Sequence, residues 1–223
     1  FGAALIIIMV LSVVFGPAVA VPAACLSGVP VTAQLLPDAF RHAERGFVVP
    51  FGACAFVAAP FGAWVLVAAE PTLMRMVISI FVLAMVMMLA RGWRLAARPG
   101  ALALGGLGGG AGLIQGAAGV SGPLAVAAAL SAPGTAEQQR GNVIGTVAAL
   151  NLCAFPPYWY HGLFTREVFV LALVILPLYS GGTWLGARFF TERGQRYFRL
   201  AALAALAVTG VVTFVLALLD HLR

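Results

Sequence analysis

GGLGGGAGLIQGAAGVSGPLAVAAALSAPGT, residues 105–135, is the stretch on which the fold turns. Glycine recurs through it and Pro123 and Pro133 interrupt it; these are the two residue types that weaken helices most. Its flanks are nevertheless as apolar as a membrane span. Irregular backbone in such a setting must be buried in protein or line a hydrated cavity, because each unsatisfied amide in lipid costs several kcal/mol.

The rest of the chain supplies that setting. Of its 223 residues, 62% are hydrophobic and only 9% are charged, and the mean hydropathy is +1.04. A soluble domain carries roughly a quarter of its residues as charges. The composition therefore defines an all-α, polytopic integral membrane protein. The formal charge of +6 comes from arginine alone among the basic residues. These arginines lie in short gaps between apolar runs, where they orient the chain and do not form a nucleic-acid surface. Cys25, Cys54 and Cys153 sit in apolar stretches without metal-ligand spacing and read as small packing residues. No cofactor is implied.

Measured against the ~20 residues that a helix needs to cross hydrocarbon, the apolar runs are 2–26, 47–69, 76–90, 101–130, 142–158, 168–187 and 197–219. The first run contains an AVA sequence like a signal-peptide end. It lacks a basic leader and holds Gly16-Pro17 and Pro22, so it is read as a span, and the start at Phe1 as lying part-way through a longer chain.

The runs repeat. Val14-Phe15-Gly16-Pro17-Ala18-Val19 aligns with Val120-Ser121-Gly122-Pro123-Leu124-Ala125, Pro30-Val31-Thr32-Ala33 with Pro133-Gly134-Thr135-Ala136, and Gly62-Ala63-Trp64 with Gly182-Thr183-Trp184. Three matches in one order divide the chain into related halves, 1–99 and 100–223. From Pro30 to Trp64 is 34 residues and from Pro133 to Trp184 is 51. The difference of 17 is about one membrane crossing at ~1.5 Å per residue. One helix of the first repeat is thus expected to be absent, with omission between Gln34 and Gly46 the favoured explanation.

Arginine placement sets the orientation. If each Gly-Pro run dips in and returns as a re-entrant pair, each complete half adds about three spanning helices and the second half is inverted relative to the first. Arg41, Arg45, Arg91, Arg94, Arg98, Arg140, Arg188, Arg193, Arg196 and Arg199 then share one face, and only Arg75, Arg166 and Arg223 oppose them, each near an acid (Glu70, Glu167, Asp220). Positive-inside bias favours this arrangement.

A Gly-Pro break frees amides at the start of the next half-helix, and such helix starts attract anions. Two breaks facing each other near the midplane would form the site of a transporter built from inverted repeats. The candidate substrate-binding residues are Gly16 and Pro17 at the first break and Gly119, Ser121, Gly122 and Pro123 at the second, together with the polar residues Thr32, Gln115, Thr135 and Asn142. Gln138 and Asn151 are further polar groups in or beside apolar runs. Any of these can equally form interhelical hydrogen bonds, and Thr32 and Thr135, following prolines, can cap helices. The glycines from Gly105 to Gly116 can let helices approach closely. Tyr158, Trp159 and Tyr160 read as an interfacial belt, as does the Trp64/Trp184 pair.

Gly119-Val120-Ser121-Gly122 also fits the Gly-x-Ser-Gly pattern of rhomboid intramembrane proteases. A serine nucleophile needs a base at its own depth, and His42, His161 and His221 fall in loops or at the chain end, so no enzyme is expected.

The doubled Gly-Pro segment, the following Pro-x-Thr-Ala and the Gly-x-Trp helix leading to a basic loop resemble the sulfite/organosulfonate exporter family (TauE/SafE-like), over essentially the whole chain and most clearly over 105–151. The resemblance implies a small permease of the bacterial inner membrane with two related halves. It also implies transport of sulfite, a sulfonate or a related anion, with Gly16-Pro17 and 119–123 at the pathway. Phe15 stands where the second half has Ser121, a departure from the pattern. The function expected is secondary transport, in the exporting direction, by alternating access about a midplane site. An anion channel and a non-transporting subunit that scaffolds a partner are the alternatives. A coupling ion and homo-oligomerisation are compatible with this reading.

Overall fold

The computed structural model describes residues 2–91, 100–132, 134–189 and 195–221, and among them all regular structure is helical. Arg94, Arg98, Pro133, Arg193 and Arg223 lie outside the described residues, as do the side chains of Trp184, Arg188, Arg196 and Arg199. The elements are α1 (Gly2–Val14), α2 (Pro17–His42), α3 (Arg45–Ala68), α4 (Pro71–Ala90), α5 (Ala101–Ala118), α6 (Gly122–Leu130), α7 (Ala136–Tyr160), α8 (Arg166–Phe189) and α9 (Gln195–His221). Pro17–Gln34, Arg45–Ala68, Pro71–Met88 and Ala101–Ala118 are long and apolar enough to cross a bilayer. The chain is a multi-pass helical membrane protein.

The first apolar run divides where glycine permits it. Gly16 adopts φ +84°, a left-handed conformation that costs glycine little and other residues more. Pro17 then opens α2, whose first amide bonds run from Val19 and Ala20 to the Gly16 carbonyl. α2 does not stop near Leu26 as the run suggests. It continues through Pro22, Pro30 and Pro37 to His42, since in a membrane protein side chains and neighbouring helices can satisfy the carbonyls that proline strands. Thr32 lies inside this helix and caps nothing: its hydroxyl donates to the Gly28 carbonyl at 2.9 Å. The stretch from Gln34 to Gly46 is the end of α2 and its turn into α3, so residues 1–99 hold four described helices and residues 100–223 hold five.

The glycine-rich stretch stays helical for longer than a half-helix. α5 has 18 residues, about 27 Å at ~1.5 Å per residue, whereas α6 has only nine. A re-entrant pair of half-helices is the expectation for this run. α5 is instead a full-length helix, held by α3. A β-carbon added at Gly108, Gly112 or Gly116 would overlap the carbonyl oxygens of Phe51, Ala55 and Ala59, and one at Gly62 would overlap the Leu113 carbonyl. Every fourth residue of α5 thus presents bare backbone to α3, and α3 answers with Ala55, Ala59 and Ala63, all fully buried. With no hydrophobic drive between helices in lipid, close van der Waals contact of this kind is what associates them.

α7 packs on α2, α3, α5 and α6, and α9 packs on α4 and α1. Arg75 at the start of α4 pairs with Asp220 at the end of α9 at 3.1 Å, so its acid partner is Asp220 and not the nearby Glu70. The pairing brings the start of α4 and the end of α9 to one side of the bundle. Cys25 and Cys153 are buried, Cys54 is half-buried, and all three are free thiols.

Candidate functional site

The second break places two buried polar side chains, Gln115 and Ser121, side by side in the protein's interior. α5 ends at Ala118, and Gly119, at φ +69°, turns the chain while its amide donates back to the Gln115 and Ile114 carbonyls. A β-carbon on Gly119 would lie 3.0 Å from Ile8 Cδ1 and 3.1 Å from Val21 Cγ1, so the turn is wedged between α1 and α2. Val21 is five residues past Gly16, about 7 Å along α2. The second break thus packs on α1 and α2 more than one turn of helix away from the first.

Val120 and Ser121 are fully buried. The first backbone bonds of α6 run from Leu124 and Ala125 to the Ser121 carbonyl, and Pro123 has no amide hydrogen to satisfy. The amides of Val120, Ser121 and Gly122 make no backbone hydrogen bond among the described residues. A helix N-terminus with free amides carries a partial positive charge.

Side chains complete the arrangement. Ser121 Oγ donates to Gln115 Oε1 at 2.6 Å, joining the start of α6 to the last turn of α5. Gln115 is 5% exposed; Ser121 engages its Oε1, which leaves Nε2 as the amide end turned away from that bond, and among the described residues Arg75 Nε is the buried side-chain atom without a partner. Below them, the Tyr158 hydroxyl of α7 lies 2.9 Å from both the Gln115 and the Gly116 carbonyls. Its single hydrogen serves two acceptors at the frayed end of α5. Tyr158 is fully buried, whereas Trp159 and Tyr160 are exposed at 71% and 86%. This corrects the expectation of a three-residue belt: successive helix positions point about 100° apart, so Tyr158 faces inward and its neighbours outward.

The first break is simpler. Phe15 is half-exposed, and Gly16 has open space around it. No hydroxyl stands where Ser121 does in the second half. Gly16 and Pro17 contribute only the start of α2.

The remaining polar candidates fall elsewhere. Thr32 Oγ1 accepts from Asn151 Nδ2 at 2.8 Å, tying α2 to α7. Asn142 Oδ1 accepts from the Glu44 amide at 2.8 Å, fixing the turn before α3 against α7. Thr135 is exposed and forms a capping box with Gln138 at the start of α7. Along α7, Asn142 and Tyr158 are 16 residues apart, about 24 Å. The structure thus brings Gln115, Gly119, Ser121, Gly122 and Pro123 together, and places Gly16 and Pro17, Thr32, Asn142 and Thr135 at separate points. Tyr158 is the residue of this cluster that sequence reasoning missed. Its only signal was a hydroxyl on an aromatic, which the adjacent Trp159 and Tyr160 disguised. Among the described residues no group of His, Cys, Asp or Glu has the arrangement of a metal site.

A multi-pass helix bundle whose buried polar site is made of broken backbone has the build of a membrane permease. The profile of the family described as Sulfite exporter TauE/SafE matches residues 1–213, and the chain belongs to that family of membrane transporters. No curated protein and no solved structure matches it.

Proposed function

We propose that the protein is a secondary transporter that exports a small sulfur-containing anion, sulfite or an organosulfonate, with the anion resting at the α5–α6 break. The carrying observation is the set of amides at Val120, Ser121 and Gly122, which make no backbone hydrogen bond among the described residues, beside a Gln115 amide whose Oε1 is held by Ser121. These are donors fixed in a buried setting, complementary to sulfur oxyanion oxygens. Ser121 is a positioning residue: by donating to Oε1 it orients the Gln115 amide so that nitrogen faces the guest. Gly16 and Pro17 add the positive end of α2, more than one turn of helix away. Movement of the two related halves, 1–99 and 100–223, about this site gives alternating access, with energy from an ion gradient or the substrate's own. The arginine pattern and the cytoplasmic orientation it implies fit the inner membrane of a bacterium.

A thermal-shift series in detergent tests the reading. Sulfite and a short alkyl sulfonate raise the melting temperature of the wild type, since a ligand at 100 times its Kd stabilises the form it binds by about 2.7 kcal/mol. Ser121→Ala frees the Gln115 amide to rotate and weakens that shift, whereas Thr135→Ala leaves it unchanged. A sulfite-induced shift equal in wild type and Ser121→Ala overturns the site.

A further inference from the structure

The protein has a second recess, away from the breaks. The end of α2, the first three turns of α3 and the middle of α7 enclose about 410 Å³ between Leu36, Val49, Phe56, Gly145 and Leu152, with Arg45 at one end. Apart from that guanidinium the lining is apolar. Val49, Phe56 and Leu152 are 61%, 44% and 48% exposed, so the recess opens sideways. α3 is a membrane-spanning helix by length and composition, and its lateral surface meets acyl chains. From Arg45 to Phe56 is eleven residues, about 16 Å along the helix, a depth suited to much of an acyl chain.

The mouth has the opposite chemistry. Arg45 opens α3, lines the recess and is exposed; Arg41, the last residue but one of α2 and four residues before Arg45, is also exposed, and neither has an ion-pair partner among the described residues. Gly46 has open space around it, so an anionic group can approach the amides of Arg45 and Gly46, which make no backbone hydrogen bond among the described residues. Glu44 is the acid described at this turn, and its backbone amide is taken by Asn142. Basic recesses between spanning helices on the arginine-rich side of a membrane match anionic lipid headgroups.

We infer that this recess is a structural lipid site, holding one acyl chain of an anionic glycerophospholipid with its phosphate on Arg45 and Arg41. The chain fills the apolar groove between α3 and α7, and the headgroup bridges the ends of α2 and α3. Such a lipid braces the α2–α3 turn that rests on α7 through Asn142.

Native mass spectrometry of the full chain, released from nanodiscs of equimolar phosphatidylglycerol and phosphatidylcholine, tests this. The wild type is expected to retain phosphatidylglycerol at least fivefold over phosphatidylcholine. Arg45→Gln reduces that preference about fivefold, the worth of one arginine near a lipid surface, and Arg41→Gln with it abolishes the preference. Val49→Trp, which fills the groove from its open side, removes retained phospholipid of both kinds while the arginines remain. Equal retention of the two lipids by the wild type, an unchanged preference in Arg45→Gln, or undiminished retention in Val49→Trp overturns the site.

Discussion

Gly112→Leu is expected to separate α3 from α5 and to destabilise the fold by about 3 kcal/mol or more, the upper end of what overpacking costs in a well-packed core. The side chain would have to displace the Ala55 carbonyl and α-carbon, which are backbone and cannot rotate aside. Gly109→Leu is the matched control, because nothing lies within 4 Å of a β-carbon there. Leucine also favours helix over glycine by up to about 1 kcal/mol, so that variant is neutral or stabilised. Unfolding of both variants in mixed micelles, followed by tryptophan fluorescence, separates them. Equal loss at both positions would mean that the glycine face does not pack on α3.

The second large effect falls on transport. Gln115→Leu, made together with Ser121→Ala, deletes the side-chain donors and the hydroxyl that orients them. Changing both partners to apolar groups avoids stranding Ser121, which alone costs about 1–3 kcal/mol when its acceptor is lost. The double variant is therefore expected to fold. It is expected to lower sulfite flux about 10- to 100-fold, since a hydrogen bond to a charged group is worth about 1.5–3 kcal/mol. Initial rates in proteoliposomes at subsaturating sulfite measure the loss. Wild-type flux in a folded double variant would remove Gln115 and Ser121 from the pathway.

How far the sequence reveals this protein follows from which contacts are local. The α5–α6 break is readable because Gly119 and Pro123 act within a few residues of themselves, and the capping of α7 by Thr135 is equally local. The family is readable from the doubled Gly-Pro segment. Gly108 and Gly112 stand out by their spacing, but the identity of α3 as their partner depends on a contact between distant parts of the chain. Span ends are misjudged where proline is treated as in water: Pro22, Pro30 and Pro37 all lie within α2. The inward turn of Tyr158 depends on the rotation of α7 against α5, and no periodicity in 158–160 encodes it. Polar residues of similar type, Gln115, Thr32 and Asn142, look equivalent along the chain, yet only Gln115 meets the break.

Counterflow of labelled sulfite is the most direct measurement of whether an anion passes through the α5–α6 break. Vesicles preloaded with unlabelled sulfite should take up label transiently and saturably with the wild type, and Gly122→Leu, which places a side chain among the unbonded amides, should abolish that uptake in protein that remains folded. Undiminished counterflow in folded Gly122→Leu would contradict the account.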